Sequence, residues 1–129
     1  MVLVVDDHAE TRYVFTMLLE RLGYDAIAVV GGQAAIDFLG STIPELIILD
    51  CNMQCVDGLG VLRAVRADPR LTNVPVVIFS ADTKDCASPA YEKLGVQDWI
   101  VKGTGDRMKI DTIIGKYAVP SQRIKNPVE

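Results

Sequence analysis

Five short apolar runs, each followed by a segment with helical spacing, constrain this chain more than any other feature. Val2–Val5 is apolar at every position and β-branched at Val2, Val4 and Val5. A strand with one wet face alternates apolar with polar; a run without alternation fits a strand covered on both faces. Residues 26–30, Leu46–Leu49, residues 74–79 and residues 99–101 repeat the theme, with Pro75 at the start of the fourth run. Between them, Val14, Phe15, Leu18, Leu19 and Leu22 recur at helical spacing and stop at Gly23. Ala35, Ile36 and Leu39 mark a second helix, and Leu59, Leu62 and Val65 a third that ends near Asp68 and Pro69. Residues 89–94 form a short fourth helix closed by Gly95, and Ile110, Ile113, Ile114 and Tyr117 a last amphipathic one.

Buried strands alternating with helices imply an α/β fold with a parallel sheet and helices on both faces. Right-handed crossovers leave few topologies. For one domain of this length the leading choice is the flavodoxin-like, doubly wound five-stranded sheet in the order 2-1-3-4-5. Residues 1–119 would form that domain and residues 120–129 a polar tail or linker stub.

Such a sheet places its site at the carboxyl ends of the strands, beside the switch in strand order. Strand one there ends in Asp6 and Asp7, strand three in Asp50, strand four in Ser80 and strand five in Lys102. Each alone is ordinary: an Asp after a strand is a turn or cap residue, a Ser a cap, a Lys a solvated charge. Their joint placement at one rim is not. Three carboxylates at close quarters repel one another and call for a cation. Mg2+ suits them, because it takes oxygen ligands, keeps several waters and binds through one or two carboxylates plus phosphate. A nucleophilic carboxylate, a metal, an ammonium and a hydroxyl are the parts that phosphoryl transfer to Asp50 requires. His8, beside the acidic pair, is expected simply to begin helix one.

Over almost its whole length, from Val2 to about Tyr117, the sequence resembles the receiver domain of bacterial response regulators, in particular the chemotaxis-regulator type. The resemblance rests on Val4-Val5-Asp6-Asp7, on Leu49-Asp50-Cys51-Asn52-Met53 with Asp57-Gly58, on Phe79-Ser80-Ala81 and on Val101-Lys102-Gly103. It implies that Asp50 accepts a phosphoryl group from a sensor histidine kinase or phosphotransfer protein. It implies that Asp7 and Asp50 ligate Mg2+ directly, Asp6 mainly through water, and Asn52 through its backbone carbonyl. Ser80 would hydrogen-bond the phosphoryl group, Lys102 would pair with it, and Trp99 stands where the family carries an aromatic switch residue. The output would pass to a downstream protein through the face made by helix four, strand five and helix five. Such a domain is no enzyme toward other substrates; it catalyses only its own phosphorylation and dephosphorylation.

The chain departs from the family at Gln54 and Gly103, which stand where proline is usual, at Trp99, bulkier than the common Tyr or Phe, and at Ser80, smaller than the common Thr. These changes bear on the switch geometry, and they motivate the competing reading of a phosphorylation-independent interaction module. A flavin binder would need a Gly-, Ser- or Thr-rich phosphate loop after strand one, where this chain has Asp6-Asp7-His8-Ala9-Glu10. An aspartate-based phosphatase would usually want a second Asp where Asn52 stands. The net charge of -4, without a basic run, argues against direct nucleic-acid binding. No apolar stretch reaches the roughly 20 residues that span a bilayer, and the early acidic pair disfavours a signal peptide, so a cytoplasmic location is expected. The three cysteines fit a reducing compartment better than a disulfide framework. Ser88 and Pro89 suit the start of helix four, leaving residues 81–87 as a long loop beside Ser80.

Overall fold

The computed structural model describes residues 1–81, 88–102 and 107–120, with the side chains of Arg107 and Met108 excepted. Five strands, β1 (Val2–Val5), β2 (Ala26–Val29), β3 (Leu46–Leu49), β4 (Val76–Ser80) and β5 (Asp98–Val101), form one parallel sheet in the order β2-β1-β3-β4-β5. The helices are α1 (Ala9–Arg21), α2 (Gly32–Leu39), α3 (Gly58–Ala67), α4 (Ala90–Leu94) and α5 (Arg107–Tyr117). The order is the one the sequence implies.

The two-sided burial of the central strands explains their composition. Side chains alternate across a strand, so Leu3, Val5, Ile47, Leu49, Val76 and Ile78 pack on one face with Ala35, Leu39, Val61, Leu62, Val65 and Tyr91 of α2, α3 and α4. Val2, Val4, Leu46, Ile48, Val77 and Ile100 pack on the other with Phe15 and Leu19 of α1 and Ile110, Ile113 and Ile114 of α5. Each fully buried Leu or Ile contributes about 1.5–3 kcal/mol relative to exposure. The edge strand β2 lacks this cover on both sides, and Ile27 is exposed.

Several boundaries shift. The apolar stripe of α1 is narrower than its spacing suggests: Phe15 and Leu19 are buried, but Val14 is exposed. β4 begins after Pro75, whose carbonyl accepts from Ile47 N–H while its ring nitrogen has no hydrogen to give. α4 begins at Ala90, with Ser88 Oγ accepting from Ala90 N–H at 3.3 Å. Of the expected loop, residues 82–87 lie outside the described residues, as do 103–106 after Lys102 and 121–129 of the tail. The reading of the cysteines needs correction: Cys51 is disulfide-bonded and buried, while Cys55 is free and exposed. An odd count leaves room for one bond and one free thiol.

Arg66, at the end of α3, anchors α4 from beneath. Its guanidinium donates to Leu94 O at 2.9 Å, Gly95 O at 2.8 Å, Val74 O at 2.8 Å and Thr72 O at 3.0 Å. It thereby satisfies carbonyls at the end of α4 that the helix itself cannot pair.

Candidate functional site

Register brings the rim together. Val5 pairs with Leu49, so the next residues, Asp6 and Asp50, stand side by side at the ends of β1 and β3, and Asp50 N–H donates to Val5 O at 3.0 Å. Ser80 pairs with Val101, which sets Lys102 just past the end of β5, its N–H donating to Ser80 O at 2.8 Å. Asp6, Asp50 and Ser80 are the buried polar residues of the described chain.

The Lys102 ammonium donates to Asp6 Oδ2 at 2.7 Å and to Asp50 Oδ2 at 3.3 Å. It lies 5.5 Å from the centre of the Phe79 ring. Asp50 Oδ1 accepts from Asn52 N–H at 3.2 Å. Asp6 Oδ1 accepts from His8 N–H at 2.9 Å, and Arg12 ties α1 to the same turn by donating to Asp6 O at 2.9 Å. Asp7 Oδ2 accepts from Gln54 N–H at 3.3 Å, bringing the loop after Asp50 across to the acidic pair. Gln54, in the position of the family's proline, thus supplies a donor that proline lacks.

Gly58, at the first position of α3, lets that helix approach Asp50. A Cβ there would meet Asp50 O at 2.6 Å and Cys51 Cα at 2.8 Å. Asp57 caps the helix, its side chain accepting from Gly60 N–H at 2.9 Å.

Burial pushes the Asp50 carboxyl above the usual carboxylate range; Lys102 and the Asn52 N–H pull the other way without cancelling it, and Asp6 adds to the rise. For Lys102, burial pulls the ammonium down, but hydrogen bonding and attraction to Asp6 and Asp50 outweigh it, so its pKa is raised. The charged form of Asp50 is thus incompletely compensated by Lys102, and a further cation would stabilise it.

The donor set fits a divalent ion. Asp7 Oδ1 is buried without a hydrogen-bond partner. Asp6, Asp7, His8 and Asp50 each bring one potential ligand atom, all within 4.8 Å of one another. Asn52 adjoins them and is exposed.

Trp99 is half-buried in β5, edge-on to Tyr91 with ring centres 6.0 Å apart. The sequence gives no reason to single out Tyr91, whose importance lies in contacts across the chain. It also treats His8 as a helix start, which is correct, since His8 is the N-cap of α1. That view misses where the ring goes: Nδ1 lies 3.1 Å from both Asp6 Oδ1 and Asp7 Oδ1. The one available signal was its place immediately after the acidic pair.

Comparison with known proteins identifies the family and the fold. The family described as response regulator receiver domain matches residues 2–114. Chemotaxis protein CheY of Pseudomonas aeruginosa is 34% identical over 102 residues, covering 78% of this chain and 82% of that protein. Sensory/regulatory protein RpfC of Xanthomonas campestris pv. campestris is 29% identical over 127 residues, 97% of this chain but 17% of that protein. Several of the curated relatives are much longer; this chain spans 17% of one and 41% of another. Among solved structures, the receiver domain of sensor histidine kinase PA1611 from Pseudomonas aeruginosa, with a magnesium ion in its active-site cleft, superposes with a TM-score of 0.78 at 24% identity. That match covers 90% of this chain and 94% of the other and shows a common fold.

Proposed function

Since the chain belongs to the response regulator receiver domain family, we propose that it is a Mg2+-dependent phosphoacceptor in which Asp50 takes a phosphoryl group from a sensor histidine kinase or phosphotransfer protein. The observation that carries this reading is the shared contact of Lys102 with Asp6 and Asp50, beside an Asp7 Oδ1 that is buried without a hydrogen bond.

Asp50 is the nucleophile. Its burial keeps the attacking oxygen poorly solvated, and the Asn52 N–H orients the other oxygen. Asp7 and Asp50 would hold Mg2+ directly, Asp6 through water, and Asn52 through its carbonyl. Bound there, the ion would offset charge on the transferring phosphoryl oxygens. Lys102 leaves Asp50 and Asp6 to pair with a phosphoryl oxygen, and the Ser80 hydroxyl takes another. The magnesium ion in the PA1611 receiver supports the choice of metal.

Movement of Ser80 toward the phosphoryl group and of Trp99 against Tyr91 would carry the state to the α4–β5–α5 face, where a downstream protein docks. Residues 1–119 form the signalling unit, and the segment from Pro120 onward is a tail or linker. The domain catalyses its own phosphorylation and dephosphorylation and has no separate enzymatic substrate. No described helix is long and apolar enough to cross a membrane.

Intact-mass spectrometry after incubation with acetyl phosphate and Mg2+ tests the reading. One phosphoryl mass should appear, fail to form when chelator is present from the start, and be absent from Asp50→Asn. An Asp50→Asn protein that gained the mass at the wild-type rate would overturn the assignment. A wild-type chain that never gained it would favour the phosphorylation-independent interaction module.

A further inference from the structure

The acidic rim contains a nitrogen donor as well as oxygens. His8 Nδ1 stands 3.1 Å from Asp6 Oδ1 and 3.1 Å from Asp7 Oδ1. Toward Asp7 Oδ1 this is contact without a hydrogen bond, since that oxygen is buried and has no hydrogen-bond partner. In an octahedron with metal–ligand bonds of about 2.1 Å, neighbouring ligands are about 3.0 Å apart and opposite ones about 4.2 Å. The separation from Asp7 Oδ1 therefore matches neighbouring positions around one ion, while toward Asp6 Oδ1, which would reach the ion through water, the ring nitrogen stands at hydrogen-bonding distance. The widest separation in the group, 4.8 Å, closes to the octahedral range with side-chain shifts of a few tenths of an ångström each.

The backbone places the ring beside the rim, and the contact of Nδ1 with Asp6 Oδ1 orients it. His8 is the N-cap of α1 with an extended conformation, φ -94° and ψ 118°, and its N–H is fixed on Asp6 Oδ1 at 2.9 Å. The side chain is 66% exposed, so the far edge of the ring faces water and an ion can enter beside it.

We propose that His8 Nδ1 is a direct ligand of the divalent ion at this rim, making the centre a mixed carboxylate–imidazole site that favours borderline transition ions such as Ni2+ or Zn2+ over Mg2+. This deepens the phosphoacceptor reading and rests on it, since the same rim must hold the ion. Carboxylate and water oxygens suit Mg2+, whereas an imidazole nitrogen adds affinity chiefly for later first-row ions. The metal supplied would then set how strongly the rim is occupied before any phosphoryl donor arrives.

Mn2+ is the probe, bound to the untagged chain and read by electron spin echo envelope modulation. His8 is the sole histidine of the sequence, so an imidazole nitrogen coupling can come from nowhere else. The wild type should show a directly bonded 14N coupling that vanishes in His8→Ala. Calorimetry should show the ratio of Ni2+ to Mg2+ affinity falling about tenfold or more in the same variant. Identical spectra from wild type and variant, with Mn2+ bound to both, would overturn the role of His8 while leaving the acidic rim as a metal site. Failure of the wild type to bind Mn2+ at all would overturn both readings.

Discussion

Lys102 donates to Asp6 at 2.7 Å across 96 residues of sequence, a shorter contact than the 3.3 Å it makes with Asp50. Asp6 is almost wholly buried, so without Lys102 its charge would lack its nearest cation. Removing one partner of a buried pair leaves the other uncompensated. Lys102→Met should therefore destabilise the metal-free protein by about 3 kcal/mol in urea unfolding. Added Mg2+ should restore a larger share of stability in the variant than in the wild type. A loss below about 0.5 kcal/mol would show that water already screens Asp6.

Asp50→Asn should act in the opposite direction. Burial raises the Asp50 pKa in the folded state despite Lys102, so its charged form is unfavourable there at neutral pH. Removing that charge should raise the melting temperature of the metal-free protein, while removing the response of stability to Mg2+. A lowered melting temperature would mean that the Lys102 contact outweighs the desolvation of Asp50.

Arg66 should be essential to the placement of α4. Its guanidinium reaches carbonyls of Leu94, Gly95, Val74 and Thr72 at once, a fork that an ammonium cannot reproduce. Both Arg66→Ala and Arg66→Lys should lose about 2–3 kcal/mol by urea unfolding. Full rescue by lysine would reduce the role of Arg66 to its charge alone.

The central fold was legible because Val2–Val5 and Leu46–Leu49 carry no polar residue, and only strands buried on both faces tolerate that. The positions of Asp6, Asp7, Asp50, Ser80 and Lys102 followed from the strand ends. The contacts among them did not. Lys102 chooses Asp6 over Asp50 because of the stagger of three strands, which no local pattern encodes. The exposure of Val14 depends on how α1 rolls against β1 and β2. The disulfide at Cys51 could not be read from an odd cysteine count. His8 was legible as a helix start, whereas the direction of its ring depends on the turn geometry of Asp6 and Asp7.

Gly58→Ala should damage the site more than the fold. The added Cβ would meet backbone atoms, Asp50 O at 2.6 Å and Cys51 Cα at 2.8 Å, and neither can rotate away. Overpacking of this kind costs about 1–3 kcal/mol. The displaced segment carries the nucleophile, so phosphorylation by acetyl phosphate should slow by about tenfold or more. An unchanged rate with unchanged stability would show that α3 can slide outward freely.

Tyr91 gives a prediction in alkaline solution. Its hydroxyl lies beside Gly58, 3.1 Å from where a Cβ would stand, at the junction of α4 with the start of α3. Burial pushes its pKa up to about 12, the charges of Asp57 and Asp50 add to the rise, and a hydrogen bond from the Leu59 backbone opposes it. In the unfolded chain a tyrosine ionises near 10. Between pH 10 and 12 the folded state therefore holds a proton that the unfolded state releases, and stability falls as pH rises through that window. By pH 11 this amounts to about 1 kcal/mol. Tyr91→Phe cannot titrate, but it loses the hydroxyl contact with Leu59, worth about 1 kcal/mol at neutral pH. The wild type should therefore be the more stable protein at pH 8, and its advantage should shrink to near zero by pH 11. Other tyrosines, including Tyr24 with its own raised pKa, are common to both proteins and drop out of the difference. Urea midpoints at the two pH values check it; an advantage that stays constant between them would show that the Tyr91 phenol ionises alike in both states.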